Sequence, residues 1–495
     1  MTVGGGMVAA GHPVTAEVGA RVLREGGNAV DAAIAAVLAS WVCEPLLTGP
    51  GAGGYLLVAG GGEPAVLLDF FVAAPGAGAR PDDHADLLPV EISFGDAVQV
   101  FNCGAASCGV PGSPAGLDVA ARRWGRIPLA DLAAPAAALA RAGVPLTARQ
   151  GYIFEILDGI LLSTPEAAAE FAPSGRPLCE GEPFRSDRLA ETIDRLGADG
   201  AAPFYTGDLA AAIVEHVAAG GGQLGAADLA DYVPLDREPA RASYRGREIL
   251  TNPPPSAGGA LLALAFARLG SATSGAPGAG DLAAVMEDVQ ALRTSAFTAE
   301  LTEPGFLERF LAANLGSTTH VSVLDGAGRA CSVTCTNGAS SGVVVPGTGI
   351  HLNNIMGEED LNPDGFFRAP PGRRMPSMMA PTIVLGADGE VELVVGSAGS
   401  NRIRSAILQV VVNVVDHGMP AGAAIDAPRL HAEGGRLYAE PGVDVAALEA
   451  TGREVVLFRS PNLFFGGVQA VERVAATGAL SGGGDPRRGG SAVAA

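Results

Sequence analysis

The chain has 495 residues, 48% of them hydrophobic, a formal net charge of −21 and no lysine. That length exceeds one simple core but suits a large layered α/β unit, and such acidity excludes a phosphate-backbone partner. Without lysine, Schiff-base chemistry and a phosphate-loop lysine are excluded too, so the run Gly49–Gly54 is no nucleotide loop.

Glycine (70) and proline (35) are scattered among apolar segments, which indicates a folded, turn-rich protein and not low-complexity disorder. The six cysteines form no CxxC pair, so they are expected as buried free thiols, with no metal and no cofactor. Met1–Met7 lacks the basic start and apolar core of a signal peptide, and Ala29–Val42 is too short to cross a membrane. The expectation is a cytoplasmic protein with neither membrane nor nucleic acid as partner.

In chain order, Val14–Glu25 has helical spacing and is ended by Gly26-Gly27, after which Asn28 caps a buried helix over Ala29–Val42. The glycine run then leads into strand Tyr55–Ala59, and a glycine turn leads into strand Val66–Phe70. Asp86–Val110 has mixed strand character, and residues 128–220 are mostly helical. Strand Glu248–Thr251 precedes the turn Asn252–Gly259 and a helix over Ala260–Leu269. Residues 270–280 form a surface loop before the helix Ala283–Thr294. Gly342–Leu352 is a strand pair, followed by the acidic turn Asn353–Asp360 and the basic loop Pro370–Arg374. Strands Thr382–Leu385 and Val391–Val395 end in the small-residue turn Gly396–Ser400, where the helix Arg402–His417 starts. Amide N–H groups exposed in such a turn can form an oxyanion hole. The pattern suits two stacked sheets flanked by helices.

The most informative stretch is Ser317–Thr336. Runs rich in β-branched residues, Thr319–Leu324 and Arg329–Cys335, flank Asp325-Gly-Ala-Gly328, a hairpin signature. Closing the turn symmetrically on 325–328 sets Thr318 opposite Cys335 and Thr336 opposite Ser317, and clusters three hydroxyls. Threonine is a weak nucleophile without a base, and the nearest histidine is His320. Cleavage before Thr318 would supply a base on the same residue, an α-amine with a pKa of roughly 7.7–8.0. The preceding segment, Glu303–Gly316, would then have to be mobile or strained.

Gly6-Met-Val-Ala-Ala-Gly-His-Pro13, Gly26-Gly-Asn-Ala-Val-Asp-Ala-Ala33, Asn252–Gly259, Thr318-Thr-His-Val-Ser322, Leu352-Asn-Asn354 and Asp485-Pro-Arg-Arg488 occur in the order found in one family. Through them the chain resembles, nearly end to end, the γ-glutamyltransferase (glutathione hydrolase) family of N-terminal-nucleophile hydrolases. The resemblance implies an α+β fold, the four-layer αββα sandwich. It also implies self-cleavage between Ser317 and Thr318 into a large segment, 1–317, and a small one, 318–495, that stay together as one unit. Thr318 becomes the nucleophile, Thr336 matches the threonine that hydrogen-bonds it, and Gly399 and Ser400 match the paired oxyanion glycines.

The clamp for the substrate's amino-acid end matches less well. Phe71 stands where the family has a carboxylate-binding Arg, the family's Ser-Ser pair is Pro376-Ser377, and Ile355 replaces an amino-group ligand. Losing a bidentate Arg removes a charge-assisted contact. The remaining substrate-binding candidates are Asn337, Glu358 or Glu359 for an ammonium, Arg374 with its neighbour Arg373 for a carboxylate, and Ser377. The implied partners are an amide or peptide-like small molecule and a water or amine acceptor, and pairing of two processed heterodimers is compatible.

Three functions follow. The first is cleavage of γ-glutamyl amides such as glutathione through a Thr318 acyl-enzyme. The second is a relative with another substrate: a glutaryl-cephalosporin acylase, or a hydrolase of a C–C bond in proline-derived antibiotic intermediates. The third is an unprocessed binding protein without activity.

Overall fold

The computed structural model describes residues 5–79, 83–93, 98–292, 318–362, 365–475 and 477–495. Ser317, the segment Glu303–Gly316 and Thr294 at the expected helix end lie outside the described residues.

Two antiparallel sheets stack face to face. The first has seven strands in the order Ser491–Ala494, Met7–Ala10, Thr319–Leu324, Arg329–Thr336, Gly53–Gly60, Glu63–Phe70, Leu235–Arg237. The second has six, in the order Leu480–Gly484, Gly467–Arg473, Val391–Ala398, Thr382–Leu385, Arg247–Thr251, Ala240–Tyr244. Helices Pro13–Arg24 and Ala29–Cys43 cover the outer face of the first sheet, and Ala257–Ala272, Ala279–Ala291 and Arg402–Val415 cover that of the second. This is the αββα sandwich expected. One apolar core lies between the first sheet and its helices, and another unites the inner faces with the helices of the second sheet.

The helix Ala29–Cys43 is buried along its whole length, as an all-round apolar helix must be. The Asn28 side chain accepts from the amides of Val30 (2.8 Å) and Asp31 (3.1 Å), and the Asp31 carboxylate accepts in return from Asn28 (2.9 Å), a capping box. The same helix start receives Asp325 from the turn of the central hairpin, whose carboxylate accepts from Ala29 N–H at 3.0 Å. A helix of this length, at about 1.5 Å per residue, spans the hairpin from its turn to its open end, where Glu44 follows the last helical residue.

That hairpin closes differently from the sequence expectation. Asp325 N–H donates to the Arg329 carbonyl (3.0 Å), and Gly328 N–H donates to the Asp325 carbonyl with Gly328 at φ +83°. The loop therefore has three residues, 326–328, with glycine in the left-handed position. The Asp325 carboxylate holds it by accepting from Ala327 (2.9 Å) and Arg329 (3.0 Å). The register consequently pairs Thr319, not Thr318, with Cys335. Carried one residue further, it sets Thr318 opposite Thr336, correcting the Thr336–Ser317 pairing; a one-residue shift changes which side chains share a face.

Two other boundaries differ. The strand expected to end at Val395 continues to Ala398 because its ladder to Gly467–Arg473 persists to the Ala398–Gly467 pair, leaving only Gly399-Ser400 as the turn. Of the segment expected as a loop, Gly270, Ser271 and Ala272 extend one helix and Ala279 and Gly280 begin the next.

Candidate active site

The alternation of the central hairpin sorts its side chains. Thr319, Val321 and Cys335 face the helices, whereas Thr318, His320 and Ser322, with Thr336, Thr334 and Ser332 opposite them, face the second sheet. This inner face is polar and satisfied. Ser322 Oγ donates to the Gln469 carbonyl (3.0 Å), and Ser332 Oγ donates to the Val395 carbonyl (3.3 Å) while accepting from Thr382 N–H (3.1 Å). His320 bonds Thr334 Oγ1 through Nδ1 (2.8 Å) and Ser322 Oγ through Nε2 (2.9 Å). Burial pushes its pKa down to about 3. His320 is thus a neutral strut between the sheets. It lies so close to Gly396 that a Cβ there would meet its ring at 2.2 Å.

These cross-sheet contacts step from Ser332 over Val395 to His320 over Gly396. The next step along the hairpin is the Thr318–Thr336 pair, while the facing strand runs on to Ala398, after which Gly399-Ser400 form the turn. Thr318 is 1% exposed and Thr336 4%. Thr336 Oγ1 accepts from Gly338 N–H at 2.8 Å, which leaves its own proton to donate across the pair. Gly399 and Ser400 have φ values of +115° and +68° and, among the described residues, their amides have no hydrogen-bond partner. Ser400 Oγ is buried without a partner as well.

Asn337 follows Thr336 with its backbone tied to Leu47 O (3.0 Å) and Asn354 N (3.1 Å). Its side chain is fully buried, yet neither amide atom has a partner. Unsatisfied buried amides are costly, which singles out Asn337 beside Thr336. Glu358 stands nearby, buried, accepting from Ala339 N–H at 3.1 Å; Glu359 is exposed.

The region of the missing clamp is filled. Phe71 is fully buried, stacks on Tyr55 with ring centroids 5.5 Å apart, and lies one register step past the Gly54–Phe70 pair, beside Gly53, which pairs with Thr336. Arg374 runs beside it but is engaged: its guanidinium lies 3.5 Å from Asp69, bonds the Val233 carbonyl and stacks over Tyr232 at 4.2 Å. Asp69 also holds Arg237 at 2.6 Å. Ser377 Oγ accepts from Met379 N–H (3.0 Å), and its carbonyl accepts from Ser256 Oγ (3.0 Å). Arg373 is half-buried at the same edge.

Two neighbours of the site carried no assignment from sequence. Glu44, at the end of the buried helix, accepts from Thr319 Oγ1 at 3.0 Å; burial lifts its pKa to about 7 against the opposing pull of that bond and of Arg488. Its only sequence signal is a lone acid ending an apolar helix. Arg488 lies in a noted motif, and its guanidinium comes within 3.2 Å of where a Gly399 Cβ would be.

Comparison with known proteins agrees with this layout. The gamma-glutamyltranspeptidase family model matches residues 15–308 and 284–495. An acylase ACY 1 proenzyme of Pseudomonas sp. (strain SE83) is 33% identical, over 94% of this chain and 89% of that protein. A glutathione hydrolase proenzyme of Bacillus subtilis (strain 168) is 30% identical, over 99% of this chain and 91% of that one. The crystal structure of cephalosporin acylase from Bacillus halodurans superposes with a TM-score of 0.84 at 27% identity, covering 99% of this chain and 96% of that one. Similarity of sequence and of fold extends across both sheets and the hairpin between them, and the chain belongs to the gamma-glutamyltranspeptidase family, a hydrolase and transferase family of the N-terminal-nucleophile type.

Proposed function

We propose that the chain is a self-processing amide acylase whose nucleophile is Thr318 and whose acyl group differs from γ-glutamyl. The observation that carries this reading is the hairpin register, which, carried one residue past the Thr319–Cys335 pair, sets Thr318 opposite Thr336; in support, the Gly399-Ser400 turn that ends the facing strand leaves its amides without a hydrogen-bond partner among the described residues. In processing, Thr318 Oγ1 attacks the Ser317 carbonyl, the peptide C–N bond breaks, and water hydrolyses the resulting ester. The products are a carboxylate on Ser317 and a free amine on Thr318. In turnover that amine takes the Oγ1 proton as Oγ1 attacks the substrate carbonyl. The two amides hold the oxyanion, and Thr336 steadies Oγ1. Collapse expels the leaving amine with the proton returned to it, and water or an acceptor amine then releases the acyl group from Thr318.

The change of acyl group rests on Phe71 and on the engagement of Arg374 with Asp69, which fill the Phe71 end of the row in the first sheet. A γ-glutamyl substrate is the second reading, favoured by the buried carboxylate of Glu358 beside Gly338. No bound group, acyl or otherwise, is needed for either reading beyond the protein and its substrate.

A denaturing gel with amino-terminal sequencing tests the reading. Two fragments are expected, the smaller starting Thr-Thr-His-Val, and Thr318→Ala should remain one uncut, inactive band. Active wild-type material in one piece would refute it. Processed enzyme that releases p-nitroaniline from γ-glutamyl-p-nitroanilide as fast as from other acyl anilides would restore the second reading.

A further inference from the structure

The peptide units of the Gly399-Ser400 turn are fixed through their carbonyls. The Ala398 carbonyl accepts from Ser397 Oγ (2.9 Å), and the Gly399 carbonyl accepts from Arg402 N–H (3.2 Å). In a planar trans peptide the N–H lies opposite the C=O, so each of these bonds also aims the amide of the next residue, Gly399 or Ser400. The Ser400 carbonyl is taken up by Ile403 N–H (3.0 Å). The aim of the Ser400 amide is therefore tied to the place where the helix Arg402–Val415 begins.

That helix start is gripped by a small three-stranded sheet, Leu430–Glu433, Arg436–Ala439 and Glu454–Leu457. Its first hairpin turns on Gly434-Gly435, both at positive φ (+60° and +76°), as a two-residue hairpin loop requires, and this fixes Glu433 as the closing residue opposite Arg436. Alternate residues of a strand share a face, and His431 and Glu433 both meet the helix. One Glu433 carboxylate oxygen accepts from Asn401 Nδ2; the other lies 3.9 Å from Arg402 and 3.5 Å from His431 Nε2. His431 Nδ1 bonds Ser405 Oγ at 2.8 Å, one helical turn beyond Asn401. Asn401, Ser405 and His431 are all buried. Asn401 stands at the helix cap, where an asparagine side chain ordinarily accepts from a helix amide; here it caps none and donates to Glu433. Arg402 bonds the Phe464 carbonyl (3.0 Å) and lies over that ring at 4.7 Å.

Building on the proposed Thr318 acylase, we infer that Glu433 is a positioning residue for the oxyanion: through Asn401, and with His431 on Ser405, it sets the helix start and with it the aim of the turn amides. Glu433 acts through the turn and not on the substrate. Donors to an oxyanion must be in place before the charge develops, and a misplacement of about 1 Å can cost on the order of 100-fold in rate.

The test compares processed wild type with Glu433→Ala, Glu433→Gln, Asn401→Asp and the double variant Asn401→Asp/Glu433→Gln. The substrate is whichever of acetyl-, pentanoyl- and γ-glutamyl-p-nitroanilide wild type cleaves fastest, and melting curves are recorded alongside. Glu433→Ala should lower kcat about 10- to 100-fold and move KM less than about threefold. Glu433→Gln keeps an acceptor for Asn401 and should stay within about fivefold of wild type. Asn401→Asp sets two carboxylates against each other and should lose about as much as Glu433→Ala. The double variant exchanges donor and acceptor and should regain at least about fivefold in kcat, a rescue that a contact serving stability alone would show only in melting. Arg436→Gln, across the same closing pair but bonded outward to Glu454 (2.8 Å), should leave kcat unchanged. An unchanged kcat in Glu433→Ala, a loss carried by KM alone, or no kcat rescue in the double variant overturns the inference and leaves the acylase reading intact. If Glu433→Ala does not fold, the rescue decides alone. If processed wild type cleaves none of the anilides, binding of phenylboronic acid replaces kcat: Thr318 Oγ1 bonds boron, its proton passes to the Thr318 amine, and the tetrahedral adduct presents an oxygen to the turn. Glu433→Ala should then bind at least tenfold more weakly; equal affinity overturns the inference. No binding by wild type, or a single uncut wild-type band, refutes the acylase reading itself and the inference with it.

Discussion

The two ends of the row Thr318–Thr336–Gly53–Phe71 across the first sheet have diverged in opposite ways. At one end stand buried hydroxyls in register, an unsatisfied Asn337 and a turn with free amides. At the other, Phe71 is stacked in the core and Arg374 is bound to Asp69. At the first end the buried Asn337 side chain has no hydrogen-bond partner among the described residues; at the second, an aromatic stack and an ion pair fill the space. In the proposed reading, bond making and substrate choice are carried by separable parts of one surface, and one part can change while the other is kept.

The sharpest way to break this comparison is to put the cation back. Phe71→Arg would bury an uncompensated guanidinium between Tyr55 and the neighbouring Arg374, at a cost of about 3–5 kcal/mol. Thermal unfolding should show that loss, with no gain of γ-glutamyl-p-nitroanilide cleavage. A stable variant that gains the activity would mean the edge is open after all. At the other end, Thr336→Val keeps the shape and removes the hydroxyl. A loss of about 10- to 100-fold in kcat is expected, the worth of one hydrogen bond to a charged oxygen. Thr336→Ser, which retains both the donor and the acceptor for Gly338, should recover most of it; if Val and Ser behave alike, Thr336 is only packing.

Much of this was legible in the sequence. The hairpin, the capped helix after Asn28 and the strand before the Gly399-Ser400 turn all carry local signals: β-branched runs, a capping residue, glycines. What escaped was non-local or conformational. Asp-Gly-Ala-Gly allows a loop of either length, and only the Asp325 bonds to Ala327 and Arg329, with Gly328 at φ +83°, select three residues. The strands Met7–Ala10 and, at the sheet edge, Ser491–Ala494 are too short to signal themselves, and they pair across almost the whole chain. Arg487 was visible as a letter, but its engagement exists only once the core has closed around Glu440 and Asp485.

Glu44 offers a smaller test of the chemical end. Its folded pKa of about 7 lies above the ordinary 4.5, so the folded state holds the proton more tightly. The resulting stabilisation is complete below about pH 4.5 and is lost as pH rises through about 7. Glu44→Gln keeps an acceptor for Thr319 and removes the titration. Relative to wild type, the variant should gain on the order of 2 kcal/mol between pH 4.5 and pH 8, read from melting curves across that range. Parallel curves would show that Glu44 does not titrate there.

The smallest effect is expected at Ser400, and it separates backbone from side chain. A φ of +68° costs an L-residue roughly 1–2 kcal/mol that glycine escapes, while glycine loses about 0.4–1 kcal/mol through its freer unfolded chain. Ser400→Gly should therefore change stability by less than about 1 kcal/mol. Both Ser400→Gly and Ser400→Ala retain the amide N–H, so each should keep kcat/KM within about threefold of wild type if that amide holds the oxyanion. A drop of tenfold or more in both would assign the work to the buried, unpartnered Oγ instead, and the turn would then be a side-chain device on which the serine, unlike the family's glycine, had conferred a new contact.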